Sequence, residues 1–239
     1  MNPKPIIAIT AESEFTPDVP RSRGTIKINW NYPEVIANAG GVPIIVPPTA
    51  DMDAIAEVID GWLITGGMDI DARYWNEENH AAAERNDDSR TGAEMKLYKA
   101  IPSDLPVLGI CYGCQFLNVA EGGSLEQHIP DRTGETSHSG GTLQEYPLAE
   151  ESRLAKAMGT TAPKGQSWHH QAVGRVAESL LVVGRHEDGT VEAIESTGPE
   201  YRMGVQWHPE RTPDLPESKA LLESFVAAAR EYRAKRDSR

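Results

Sequence analysis

What the chain has little of already narrows its chemistry. Two cysteines in 239 residues, Cys111 and Cys114, are too few for a disulfide framework. Lys and Arg number 23 against 36 Asp and Glu, a formal charge of −13. That deficit of cations argues against sequence-independent binding of nucleic acid, which depends on Lys and Arg neutralising phosphates. No apolar run approaches the roughly 18 residues of a membrane span. The start, Met1-Asn2-Pro3-Lys4-Pro5, leads into a short apolar run and does not read as a signal peptide. Repeats and a dividing linker are also missing. With 39% hydrophobic and 25% charged residues, the expectation is one globular domain over 1–239, soluble and cytoplasmic.

What is present is an alternation of short apolar runs with helical patterns. Strands are expected at Ile6–Thr10, Val42–Val46, Trp62–Thr65 and Val107–Ile110. Helices are expected at Tyr32–Ala39, Asp51–Val58, Glu94–Ala100 and from about Gly113 to Ala120. Strands separated by helices imply parallel strands with crossovers, an open α/β sheet. After Gly122 the pattern changes. Strands at Leu180–Val183, Val191–Ile194 and Met203–Gln206, the first two joined through Asp188-Gly189, suggest antiparallel additions. Glu217–Ala234 reads as an amphipathic helix burying Leu221, Leu222, Phe225 and Val226. Tyr74–Asp88 is polar and reads as a surface loop.

Gly109-Ile110-Cys111-Tyr112-Gly113 carries the strongest chemical signal. It places a thiol between a strand and a helix in the Gly-x-nucleophile-x-Gly layout of a nucleophile elbow. The glycines allow a sharp turn, and the positive end of the helix dipole favours a thiolate there. Cys111 and Cys114 also form a C-x-x-C, which leaves redox chemistry or half of a metal site open, while Cys114 falls inside the helix like a small core residue. A thiol nucleophile acting on an amide needs a base and a group to orient it. In Gln206-Trp207-His208-Pro209-Glu210, His208 and Glu210 follow a strand and both reach one sheet edge. His169 and His170 are rival bases. Gly66-Gly67 is either an ordinary tight turn or a source of backbone N–H donors for an oxyanion, together with the N–H of Tyr112.

These segments resemble the class I glutamine amidotransferase superfamily, and within it the γ-glutamyl-γ-aminobutyrate hydrolase branch of peptidase C26 type. The likeness is carried by Asp60–Asp71, the Arg90…Glu94 pair, Pro106–Gln115, Leu117-Asn118-Val119 and Gly122–Leu125. It continues through Ser167-Trp168-His169-His170-Gln171, Asp188-Gly189, Val191–Glu195 and Gly204–Glu210, in family order over nearly the whole chain. The resemblance implies a flavodoxin-like three-layer sandwich. It also implies a Cys111-His208-Glu210 triad, with an oxyanion hole at the backbone N–H groups of Gly67 and Tyr112. Gly66, Gln115, Ser167, Trp168, His169, His170 and Gln171 fall where the family contacts the γ-glutamyl group. No metal or organic cofactor is implied. The expected partner is a small-molecule γ-glutamyl amide, with no nucleic acid and no membrane, and a homodimer is left open. The expected reaction is hydrolysis of a γ-glutamyl amide through a γ-glutamyl thioester. A glutaminase subunit feeding ammonia to a separate synthase, and a catalytically silent binding protein on the same fold, are the alternatives.

Three departures from the branch concern the departing amine. Tyr112 stands where the branch usually has Arg, Arg90-Thr91 replaces an Arg-Asp pair, and Trp168 precedes the His-His pair. If Tyr112 and Trp168, with Tyr74 or Trp75, present aromatic faces to the amine, then amines without a carboxylate are expected to be preferred.

Overall fold

A computed structural model describes residues 3–15, 24–85 and 88–238. The N-terminal half runs β1 (Ile6–Thr10), β2 (Glu12–Phe15), β3 (Gly24–Lys27), α1 (Asn31–Asn38), β4 (Val42–Val46), α2 (Met52–Val58), β5 (Gly61–Ile64), α3 (Ser89–Ala100), β6 (Val107–Ile110) and α4 (Tyr112–Ala120). The C-terminal half runs β7 (Leu125–Glu126), α5 (Ile129–Thr133), β8 (Thr142–Glu145), α6 (Arg153–Met158), β9 (Lys164–Ser167), β10 (Ala172–Val173), β11 (Leu180–Arg185), β12 (Val191–Ser196), β13 (Arg202–Val205) and α7 (Pro216–Arg236).

The main sheet has the order β4-β1-β5-β6-β13-β12-β10-β7, with β11 also paired to β12. From β4 to β13 every pairing is parallel. The pairings of β12 with β13, β11 and β10, and of β10 with β7, are antiparallel. Side chains alternate across a strand, so a strand buried on both faces must be apolar at nearly every position. Ile7, Ile9, Leu63, Leu108 and Ile110 face one core, closed by α1, α6 and α7 through residues such as Ile36, Leu154 and Phe225. Ala8, Trp62, Ile64 and Val107 face the other, closed by α2, α3 and α4 through Met52, Leu97 and Phe116. Helix, sheet and helix make the expected three-layer α/β sandwich, parallel at its centre with antiparallel additions from the C-terminal half.

Bounds shift by a residue or two from expectation, as helix and strand ends do. The hairpins β2–β3 and β8–β9, the two-residue strands β7 and β10, and helices α5 and α6 were not expected from sequence. The 74–88 segment is largely irregular, but it opens in a 3₁₀ turn, Ala72–Trp75, whose Trp75 is buried. Residues 86 and 87 of it lie outside those described. Among the described residues, no helix is long and apolar enough to cross a membrane.

Candidate active site

The parallel strands converge on one edge of the sheet, where β6 hands over to α4 at Cys111. Cys111 has φ 54° and ψ −105°, and Asn76 is the only other non-glycine with positive φ among the described residues. Strain of this kind persists only where the surroundings enforce it. Here the cause is close approach. A Cβ on Gly109 would sit 2.3 Å from the Gly113 carbonyl oxygen, and one on Gly113 would sit 2.2 Å from that of Ile64. Only glycine fits at either position, so the turn folds tightly against β5. The Cys111 N–H donates to Val205 O at 2.8 Å, tying the elbow to β13. Cys114, by contrast, is fully buried in the core below, and burial pushes its thiol well up.

Just past β13, the His208 N–H donates to Gln166 O (3.0 Å), which fastens the segment to β9. His208 Nδ1 lies 2.7 Å from Glu210 Oε1, which fixes the ring and leaves Nε2 without a hydrogen-bond partner. The elbow and this imidazole meet over Gly66. A Cβ there would lie 2.9 Å from His208 Cε1 and 3.7 Å from Cys111 Cβ. Burial disfavours the imidazolium, but the Cys111 sulfur and the Glu210 carboxylate outweigh it and raise His208 to about 10. Two α1 residues that carry no functional signal in sequence complete the setting. Tyr32 Oη accepts from Gly66 N–H at 2.9 Å, and Asn31 Nδ2 donates to Glu210 O at 3.2 Å. Burial and the nearby Glu210 keep the Tyr32 phenol protonated.

Arg90 and Glu94 build the wall behind Gly66-Gly67. Arg90 Nη1 donates to Gly66 O (3.0 Å), Nη2 to Thr65 O (2.9 Å), and Nε to Glu94 Oε1 (3.0 Å). Tyr112 closes this clamp from below. Its hydroxyl donates to Glu94 Oε2 at 2.7 Å, and the Arg90 guanidinium lies 4.0 Å above its ring. The expectation that Tyr112 shows an aromatic face to a departing amine is therefore corrected: the side chain is 2% exposed and is used up inside the clamp. Tyr74 and Trp75 do not reach the site either, since the Tyr74 hydroxyl donates to Asp88 and Trp75 packs in the core.

The cleft over this edge has a volume of about 740 Å³, a size suited to a small molecule. Gly66, Gly67, Cys111, Trp168 and His208 line it, together with Tyr32, Glu12, Lys27 and Arg211. Trp168 is 44% exposed at the mouth and stacks with the Arg211 guanidinium, 4.7 Å from the ring. The other residues expected to contact substrate do not line this cleft. Gln115 Nε2 donates to Gln171 O and Gln206 Oε1, and the Ser167 hydroxyl donates to His138 O. His169 and Gln171 are buried, and His170 pairs with Asp69 at 3.0 Å. His169 and His170 border a smaller cavity of about 360 Å³ on the other side of Trp168. Burial, reinforced by the charge on His138, pushes His169 down to about 3. Of the histidines, His208 is therefore the one that shares the cleft with Cys111. Arg211 was not expected from sequence, where its place directly after Glu210 is the one signal for it.

Known proteins resemble this chain in sequence and in fold. Residues 5–210 match the Peptidase C26 family. A Mycobacterium tuberculosis protein, named provisionally as a glutamine amidotransferase, is 36% identical over 96% of this chain and 76% of its own. The γ-glutamyl-γ-aminobutyrate hydrolase of Escherichia coli K12 is 26% identical over 90% of this chain and 91% of its own. A solved Thermoplasma acidophilum structure, described provisionally as part of a GMP synthase, superposes with a TM-score of 0.67. It covers 98% of both chains at 16% identity, a likeness of fold.

Proposed function

Because this chain belongs to the peptidase C26 branch of the class I glutamine amidotransferases, cysteine amidohydrolases in kind, we propose that it hydrolyses γ-glutamyl amides to glutamate and a free amine. The observation that carries this reading is the shared edge: a thiol on an enforced elbow, an imidazole raised beside it, and a carboxylate 2.7 Å behind the imidazole.

In the proposed cycle the thiol proton has already passed to His208 Nε2, whose imidazolium the Cys111 sulfur and Glu210 favour, and Cys111 Sγ then attacks the γ-carbonyl carbon. The backbone N–H groups of Gly67 and Tyr112 receive the developing oxyanion, and the Arg90 clamp holds the Thr65–Gly66 carbonyls turned back from it. His208 then gives its proton to the amine nitrogen as the C–N bond breaks, leaving a γ-glutamyl thioester on Cys111. Water, deprotonated by His208, attacks the thioester carbonyl. Glutamate leaves with the thiolate as leaving group, and the Cys111–His208 pair returns to its starting state. Glu210 keeps the ring in the tautomer that frees Nε2.

The amine is left as a class. Tyr112, withdrawn into the clamp, gives no reason to disfavour a carboxylate-bearing amine, and Arg211 and Lys27 supply positive charge to the cleft. Trp168 supplies the aromatic surface. A panel of γ-glutamyl amides of aliphatic acids, polyamines, alkylamines and aromatic amines, with glutamine as control, tests the proposal. We expect glutamate release from at least one γ-glutamyl amide by the isolated chain, at a kcat/KM above that for glutamine. Turnover of glutamine alone, and only with a synthase present, would contradict it.

A further inference from the structure

Apart from the cleft, a group of titratable side chains lies in the interior, where the loop before β8, the turn after β9 and strand β12 meet. His138, His169 and Glu192 are 2%, 6% and 0% exposed. One ligand atom from each of the three lies within 4.8 Å of the other two. Glu192 Oε1 is 3.1 Å from His138 Nδ1 and 3.7 Å from His169 Nε2. Neither of these ring nitrogens has a hydrogen-bond partner, and neither does either Glu192 oxygen. A buried carboxylate without a hydrogen bond is expensive, and native interiors rarely leave one so.

The opposite ring nitrogens explain the direction of these atoms. His138 Nε2 is 2.8 Å from Asp188 Oδ2, and His169 Nδ1 is 2.9 Å from Gln171 O. Each of those partners is an acceptor, so each holds the ring proton on its own side. The neutral rings so held carry lone pairs on His138 Nδ1 and His169 Nε2, the two nitrogens beside the Glu192 carboxylate. Without an ion, a charged His138 balances the Glu192 carboxylate; a divalent cation held by the three groups replaces that proton.

We propose that His138 Nδ1, His169 Nε2 and Glu192 hold a divalent metal ion, zinc by donor type, as a structural centre of this protein. Two ligand atoms on one tetrahedral zinc with bonds of 2.0–2.2 Å lie roughly 3.3 Å apart, and the 3.1 and 3.7 Å separations bracket that value. Imidazole with carboxylate is a zinc donor set rather than a magnesium or calcium one. The outer contacts match the way metal-bound imidazoles are held, one through a carboxylate and one through a backbone carbonyl. The neighbouring group of His138, His186 and Asp188 suits an ion less well. Asp188 already accepts from the Thr190 N–H at 2.9 Å as well as pairing with His138. An ion at His138, His169 and Glu192 would staple the β8–β9 hairpin to β12, and with it Trp168, the residue before His169. None of the three ligands lines the cleft, so the metal centre stands or falls independently of the catalytic proposal.

The test is metal analysis of the full chain, purified without chelator from zinc-supplemented medium. About one zinc per chain is expected. The double variant Cys111→Ala/His208→Asn and the variant His186→Ala should retain the ion, whereas His169→Gln and Glu192→Gln should lose it. Where a ligand variant fails to fold, the wild-type protein reconstituted with Co²⁺ decides, through the visible absorption of a tetrahedral nitrogen–oxygen site and a fall in Tm on chelation. The proposal is overturned if neither the purified chain nor the metal-stripped chain offered Zn²⁺ or Co²⁺ holds an ion after desalting. It is equally overturned if the ion leaves with the cleft double variant or with His186→Ala and stays in the ligand variants.

Discussion

The two histidine–carboxylate groups of this molecule use the same residue types to opposite ends. At the cleft, a single imidazole is held from behind by Glu210, and its free nitrogen shares an edge with a thiol and with solvent-accessible space. In the interior, two imidazoles are held from outside by Asp188 and by Gln171 O, and their free nitrogens converge on Glu192. In both places a hydrogen bond on one ring nitrogen decides what the other can do. The difference is what lies there: the open cleft beside Cys111 in one case, and a buried carboxylate, the proposed metal position, in the other. Burial of a histidine beside an acid therefore does not identify a base, whereas the position of its unpaired nitrogen does.

If that distinction holds, substitutions at the cleft should remove chemistry and leave the interior group unchanged. The largest effect belongs to Cys111→Ala, which should lower kcat by at least roughly 10⁴-fold, with thermal stability close to wild type; a steady-state assay and a melting curve check both. Next comes His208→Asn, with an expected loss of about 10²–10⁴-fold in kcat, because thiol activation and amine protonation both depend on it. Glu210→Gln should cost less than His208→Asn, its role being orientation. Were His169→Gln to stop acylation while the protein stays folded, the assignment of the two groups would have to be exchanged.

A pH series sharpens the same contrast. His208 rises from an ordinary 6.5 to about 10 in the folded protein. Its imidazolium therefore adds stability that is complete below about pH 6.5 and is lost as pH rises towards 10. Urea midpoints across that window should fall for the wild type and fall less for His208→Asn, and parallel curves would contradict the assignment. Smaller still, Trp168→Ala should raise KM by up to roughly tenfold, about 1.4 kcal/mol, with kcat little changed. Cys114→Ala should keep most of the activity and lose about 1 kcal/mol of stability, readable from a denaturation curve.

The elbow was legible in sequence because its cause is local. Gly109 and Gly113 are the residues whose missing Cβ atoms let the turn close, and their spacing around Cys111 is visible in five letters. His208 and Glu210 were legible for the same reason, being two residues apart after an apolar strand. Strands β1, β5 and β6 announced themselves as apolar runs because both faces are buried. The β8–β9 hairpin did not, since β8 is polar and mostly exposed and its pattern carries no buried stripe. Asn31 and Tyr32 were invisible for another reason: they act across 179 and 34 positions of sequence, and nothing near them in the chain hints at it. Tyr112 shows the converse error. Adjacency to the nucleophile suggested a side chain in the cleft, but a residue that begins a helix points back along it, here into the Arg90–Glu94 clamp.

Trapping the acyl-enzyme tests the central claim most directly. The chain is mixed with its best γ-glutamyl amide, quenched in acid during turnover, and mapped by peptide mass spectrometry. A γ-glutamyl adduct is expected on the peptide carrying Cys111, abolished by Cys111→Ala and accumulating in whichever variant slows deacylation. Turnover with the adduct on any other residue, or an adduct that survives in Cys111→Ala, would contradict it.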